Sequence, residues 1–307
     1  MAHFEVRPRG PFSLAVANQY FGGWAAVGGD EGKIVMAFPV ESAGWPGSAA
    51  VVLQQADDGT VSGDVVGATD ALTNEDAEAA WRQAQAALSL DYDGTDFPLV
   101  GQRDPVIGRL QAEFGLLRPV CFHSPYEAAA SFIISHRSSM AQARAVRTRL
   151  ASERGATMRV GDQTFPAFPR PQILLDMERF GPIVGDKLER LRGVAEAALA
   201  GRLDRQHLRQ LPVDTALTEL RSLRGVGSFM AQGILLRGAG LVDEVPDDEV
   251  TRQAVQYAYD LPQVPSHQEV LERAEAWRPY RMWSSVLLHV WLRRSGRSFR
   301  ATGRARR

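Results

Sequence analysis

The stretch LRSLRGVGSFMAQGILL, residues 220–236, decides the fold. A helix-forming run, DTALTELRSL, leads into it, and a second helix is predicted from Ser228. Between them Gly225 and Gly227 flank the apolar Val226. Two glycines let the chain reverse tightly and remove side chains that would block a close approach. The first N–H groups of the second helix, from Ser228 onward, then point outward without partners, which is a ready place for a phosphate. The backbone carbonyls of Arg221, Leu223 and Val226, at the first helix end and in the turn, can hold a monovalent cation. Many helix turns carry two glycines, so a plain corner between two helices stays open as a reading at this point.

A few residues on, DEVPDDEVTRQAV (243–255) places Asp247, Asp248 and Glu249 directly after Pro246. Acids are favoured in the first turn of a helix because they face unpaired N–H groups and the positive end of the dipole. Taken alone, this triplet is therefore a helix start.

Composition narrows the classes. The 307 residues are 45% hydrophobic and 23% charged, enough for a full core and a length that suits two or three domains. No apolar run approaches the roughly 18 residues of a membrane span. The N-terminal MAHFEVRPRGPF has no basic region followed by an apolar one, so a cytoplasmic protein is expected. The single cysteine, Cys121, allows no internal disulfide and no cysteine-based zinc or iron–sulfur site, and RPVCFHSP reads as a buried apolar turn. The net charge of −1 hides an asymmetry: residues 1–100 carry −10, residues 101–307 carry +9. The later part can attract a polyanion and the earlier part cannot. Only Lys33 and Lys187 are lysines; the rest of the positive charge is arginine.

Along the chain, KIVMAFPV, AAVVLQQ and TVSGDVVG alternate in short β-like runs broken by glycine-rich turns, predicting a small antiparallel sheet. NEDAEAAWRQAQAALSL follows as a helix with Asn74 as candidate N-cap. From about 103 to 295 every convincing segment is helical, and Gly/Pro-rich pieces such as RVGDQTFPAFPRPQ read as connections. The expected class is α+β. The expected division is an α+β domain at 1–100, a helical region at 101–295 made of two subdomains with a cleft between them, and a basic flexible tail at 296–307.

The ordered set of motifs resembles the helix-hairpin-helix DNA glycosylases, and most closely alkylpurine glycosylases of the 3-methyladenine DNA glycosylase II type. The segments that carry the likeness are FPAFPRPQILL (165–175), KLERLRGVAEAALAGRLD (187–204), LRGVGSFMAQGILLRG (223–238), PDDEV (246–250) and WRPYRMWSSVLLHVW (277–291). The likeness covers most of the chain and is strongest from 165 to 291. It implies base excision repair: a damaged base, an alkylated purine, is flipped from double-stranded DNA and its N-glycosidic bond is hydrolysed.

The resemblance also assigns residues. The family's essential carboxylate lies two residues after the proline, which is Asp248 here, with Asp247 as a capping neighbour. A carboxylate suits the task, because the breaking bond develops positive charge on the sugar, and a helix N-terminus favours the anion. A bifunctional relative would carry a lysine nucleophile two residues after the second hairpin glycine. That position is Phe229, so no Schiff base forms there and the enzyme is expected to be monofunctional. Phe229 offers instead a flat face for an electron-poor base. Trp291 and Tyr20 fall where the family lines its base pocket with aromatics. In place of a common glutamine segment this chain has IISHRSSM: His136 replaces the glutamine at the pocket, and Arg137 takes the position of the side chain pushed into the DNA stack. Gly225, Val226, Gly227, Ser228 and Arg137 form the expected DNA contact. Gly233, where some relatives have an aromatic, and Glu249, where some have tyrosine, suggest a wider or more acidic pocket. The resemblance implies a monomer acting in the cytoplasm on the nucleoid. It calls for no required cofactor and no iron–sulfur cluster, and leaves room for the monovalent cation at the hairpin. Two other readings stand beside it: a hairpin protein that recognises lesions without catalysis, and a glycosylase for bulky or otherwise modified bases.

Overall fold

The computed structural model describes residues 2–20, 27–28, 32–67, 72–183 and 185–296. The basic tail lies, from residue 297, outside the described residues.

Five strands, β1 (Ala2–Val6), β2 (Val27–Gly28), β3 (Ile34–Pro39), β4 (Ser48–Gln55) and β5 (Val61–Gly67), form an antiparallel sheet in the order β1-β5-β4-β3-β2. The helix Asn74–Ala87 covers one face with Ala77, Ala80, Ala84 and Ala87, packed on Met36, Phe38, Val51 and Leu53. Small side chains on the helix let it lie close to the sheet. Its one large residue on that face, Trp81, needs Gly63 beneath it, since a Cβ there would come within 2.4 Å of the ring. The helix starts one residue earlier than expected. Thr73, not Asn74, is the N-cap, and Asp76 completes a capping box with it.

The other face of the sheet corrects the expectation that everything after 103 is helical. The strands β6 (Thr157–Val160) and β7 (Gln163–Pro166) form a hairpin, and Met158 and Phe165 pack with Val35, Ala37 and Ala50. Four-residue strands, one ending in proline, are too short to show a period of two. The α+β class stands.

The chain divides into two compact units that interleave in sequence. The first joins residues up to 95 with 118–241, and the second joins 96–117 with 242 onward. In the first unit the helices Pro125–Ser135, Met140–Arg154, Asp186–Leu199, Val213–Arg221 and Ser228–Gly233 surround a core that includes Tyr126, Ile133, Leu191, Leu220, Val226 and Ile234. Ser228–Gly233 continues into a π-helical stretch, Ile234–Ala239, which ends at the left-handed Gly240. In that stretch Gly238 lets two helices touch: a Cβ there would meet Pro125 Cα at 2.9 Å. The second unit holds the helices Pro105–Glu113, Glu249–Ala258, His267–Ala274 and Arg281–Arg294. Asp104 ties these together. Its Oδ1 caps Pro105–Glu113 through the Val106 and Ile107 N–H groups, while its Oδ2 accepts from Tyr259 Oη at 2.5 Å and Trp277 Nε1 at 2.8 Å. Burial, with the Asp104 carboxylate second, pushes the Tyr259 hydroxyl well above the usual phenol range. No described helix is long and apolar enough to cross a membrane. Cys121 is buried and free, as expected.

Candidate functional site

The hairpin is built as the sequence indicates. Val213–Arg221 ends, Val226 N–H donates to the Leu223 carbonyl at 3.0 Å, and Val226 is buried as the pin of the turn. The two glycines have different reasons to be glycine. Gly225 has φ of +85°, which disfavours any side chain, and it lies on the Arg190 side chain. Gly227 has an ordinary φ of −87°, and a Cβ there would meet nothing within 4 Å. Among the described residues nothing demands a glycine at 227. Gly227 caps Ser228–Gly233 without any side-chain hydrogen bond, and the first helical bond runs from Ala231 N–H to the Gly227 carbonyl at 2.9 Å. The N–H groups ahead of Ala231 thus have no cap.

Beside the hairpin the helix Asp186–Leu199 begins with a charged cluster. Asp186 accepts from Arg190 Nε at 2.7 Å and from Arg224 Nη2 at 2.6 Å, tying the turn to this helix. His136, Arg137, Pro182, Asp186, Lys187 and Arg190 line one small hollow. His136 sits at the C-cap of Pro125–Ser135, half-buried, rather than within that helix. Arg137 is exposed and has φ of +55°, a left-handed conformation that is strained for a non-glycine. Lys187 holds this loop from both sides: its Nζ donates to the Ile134 carbonyl at 3.0 Å and to Ser138 Oγ at 3.1 Å. Burial, and then the nearby Arg190, lower the Lys187 pKa. Sequence reasoning missed Lys187 as a part of the site; its signal was being one of two lysines in an arginine-rich chain.

Phe229 follows the uncapped turn and is 58% exposed, unusual for a phenylalanine. It meets Phe132 edge-to-face at 6.0 Å between ring centres. The gap left by Gly233 is filled: a Cβ at 233 would lie 2.3 Å from Phe132 Cζ. The expectation of a pocket widened by Gly233 is therefore corrected. An aromatic stands there after all, supplied by the helix Pro125–Ser135. Tyr20 ends the short helix Leu14–Gln19, half-buried, with its N–H on the Ala17 carbonyl at 3.0 Å.

Asp248 belongs to the second unit. It is itself the N-cap of Glu249–Ala258, its Oδ1 accepting the Thr251 N–H at 2.7 Å. The expectation that Asp247 would be the cap is corrected: Asp247 lies outside the helix and pairs with Arg252 at 2.9 Å. Asp248 is half-buried, and its Oδ2 has no hydrogen-bond partner among the described residues. Glu249 is occupied within its own helix by Gln253 at 2.9 Å and Arg252 at 3.0 Å, and these two bonds, Gln253's first, lower its pKa. It does not add a free acid beside Asp248.

The loop that delivers Asp248 is clamped from the last helix and the turn before it. Asp243 accepts from Arg281 Nε at 2.8 Å and from Arg278 Nη1 at 2.5 Å, Arg281 Nη2 also donates to the Asp243 carbonyl, and Met282 N–H donates to the Val242 carbonyl at 2.8 Å. This explains the arginines of WRPYRMW. Farther along the same helix, His289 Nε2 and Thr251 Oγ1 are 2.8 Å apart. Thr251 thus links the Asp248 cap to the turn that carries Trp291, which is half-buried in Arg281–Arg294. Neither Thr251 nor His289 is legible from spacing alone. Among the described residues no cluster of His, Cys, Asp or Glu could hold a metal ion.

No protein-family model matches the chain. A DNA-3-methyladenine glycosylase of Bacillus subtilis (strain 168) is 22% identical to it over 210 residues, which is 66% of this chain and 68% of that protein. Among solved structures, a 3-methyladenine DNA-glycosylase from Archaeoglobus fulgidus superposes with a TM-score of 0.74 at 19% identity, covering 96% of this chain and 100% of the other. An 8-oxoguanine glycosylase/lyase of Clostridium acetobutylicum, bound to double-stranded DNA with cytosine opposite 8-oxoG, gives 0.68 at 17% identity over 96% and 98%. The resemblance seen in the motifs is thereby shown: a sequence likeness to a 3-methyladenine glycosylase, and a fold shared with helix-hairpin-helix DNA glycosylases.

Proposed function

We propose that this chain is a monofunctional DNA glycosylase that flips damaged, alkylated purines out of double-stranded DNA and hydrolyses their N-glycosidic bond. The observation that carries this reading is Asp248. One oxygen is fixed by the helix cap and the other is uncommitted, so the carboxylate is aimed without being neutralised. As the C1′–N bond breaks, its electron pair leaves with the base. Asp248 stabilises the positive charge left on the sugar, and water supplies the oxygen that bonds to C1′ while its proton passes to solvent. An alkylated purine leaves easily, which lowers the demand for a general acid. Phe229, where a lyase would need its lysine, provides an exposed ring for stacking.

The hairpin supports the DNA part of the reading. Gly227 and the uncapped N–H groups behind it leave room for a phosphate, and in this reading the exposed Arg137 fills the gap left by an extruded base. The carbonyls of Arg221, Leu223 and Val226 are neutral oxygen donors suited to a monovalent cation. The Leu223 oxygen already accepts the Val226 N–H and would share its second lone pair. In this reading the partner is damaged duplex DNA and the working form is a monomer.

The test is a gel assay on duplexes that each carry one damaged purine. An alkali-labile abasic site is expected, with no strand nick before alkali and no protein–DNA adduct trapped by borohydride. Tight lesion binding without any abasic product would establish instead a recognition protein without catalysis.

A further inference from the structure

Phe229 faces a cleft far larger than one base. The cleft has a volume of about 1040 Å³, and all of its lining residues belong to the first unit. Its walls come from Phe122, Phe132, Phe229 and the helix Met140–Arg154. Ligand pockets for drug-sized molecules run roughly 300–1,000 Å³, so a lone purine would leave most of this space as water against apolar walls. Those walls are exposed at a cost: Met140 is 75% and Phe229 58% exposed, and both border this cleft. Leaving such side chains in water is unfavourable unless something apolar covers them.

Three of the four arginines lining the cleft are engaged, Arg237 with the Val120 carbonyl at 2.6 Å. Arg147 is held by Glu127 at 2.7 Å and by Ser131 Oγ, and it packs over the Phe122 and Phe168 rings at 5.8 and 5.3 Å. Its charge is neutralised and its planar group extends the aromatic surface. Arg149 pairs with Glu153. Arg144, exposed on the Met140–Arg154 helix, has no hydrogen bond or ion pair among the described residues and can reach a backbone phosphate beside the cleft.

We propose that this cleft receives the bulky, planar aromatic substituent of an extruded purine. The substrates then include purines carrying adducts well beyond a methyl group. The proposal deepens the glycosylase reading and rests on it for the position of the base against Phe229.

The test uses the full chain and two duplexes of one sequence, with a single 7-methylguanine or a single 7-benzylguanine. Both bases leave as comparably labile purines and differ in bulk. A third duplex carries a pyrene C-nucleoside, whose carbon–carbon glycosidic bond cannot be hydrolysed. The wild type is expected to excise the benzyl base within about tenfold of the methyl base and to bind the pyrene duplex at least about tenfold tighter than an abasic-analogue duplex. Ala141 is exposed on the cleft wall. Ala141→Trp fills the space from outside the core. It should lower benzyl excision by about tenfold or more, abolish the pyrene preference, and change methyl excision less than about twofold. Methyl excision without benzyl excision, or Ala141→Trp affecting both bases alike, overturns the cleft assignment. If neither base is excised, the glycosylase reading fails; the cleft then stands if pyrene is preferred and Ala141→Trp removes the preference, and falls if it is not.

Discussion

The hairpin of the first unit and the Asp248 loop of the second are built in opposite ways. The hairpin leaves its turn and the helix start after it bare. Gly227 faces open space, the N–H groups after it lack a cap, and Phe229 stands more than half exposed. The Asp248 loop is held in place by Arg278 and Arg281 on Asp243, by Met282 on Val242, and by the Thr251 N–H on Asp248 Oδ1. A surface that must fit a partner is left uncovered at some cost in stability. A carboxylate that must meet a developing charge is held in place, because electrostatic stabilisation requires donors and acceptors positioned beforehand. The contrast predicts that the two motifs tolerate different changes.

The largest effect is expected where the clamp is broken. Arg281 is nearly buried and serves Asp243 through both its side chain and its backbone carbonyl. Arg281→Ala should destabilise the second unit by about 3 kcal/mol, since a half-buried carboxylate loses its main partner. Excision should fall along with stability. Denaturant melts beside single-turnover rates would check this, and a variant that keeps full stability would show that the loop is not held this way.

A smaller and sharper effect separates the two glycines. Gly225→Ala forces a side chain onto a left-handed φ and should cost about 1 kcal/mol of stability. Gly227→Ala meets no described atom, so the melting point should fall by no more than a poorer helix cap costs, while affinity for duplex DNA drops about tenfold. Equal loss of stability in both, or unchanged DNA binding in Gly227→Ala, would remove the argument that position 227 is kept clear for a partner.

The parts legible in the sequence are the local ones. Gly225–Val226–Gly227 is a short-range pattern, and it lies in the turn between two helices as its spacing predicts, while the readings of Asp248 and Phe229 came with the resemblance. Cap identity was less legible. Thr73 and Asn74 are both good capping residues, as are Asp247 and Asp248, and only backbone geometry chooses between them. Contacts distant in sequence were not legible at all. Phe132 fills the space of Gly233 across about a hundred residues, Lys187 holds the loop around Arg137, and Thr251 reaches His289. Chain order also hid that 96–117 packs with the helices after 242, because nothing in a linear pattern records which later helices an early one joins.

The central claim is tested most directly by Asp248→Asn, measured for both melting and excision of a single alkylated purine in duplex DNA. Asparagine caps a helix as well as aspartate does, so the melting point should not move. It carries no charge for the sugar, so single-turnover excision should fall at least about a hundredfold while lesion binding persists. Full excision by a stable Asp248→Asn would contradict the account.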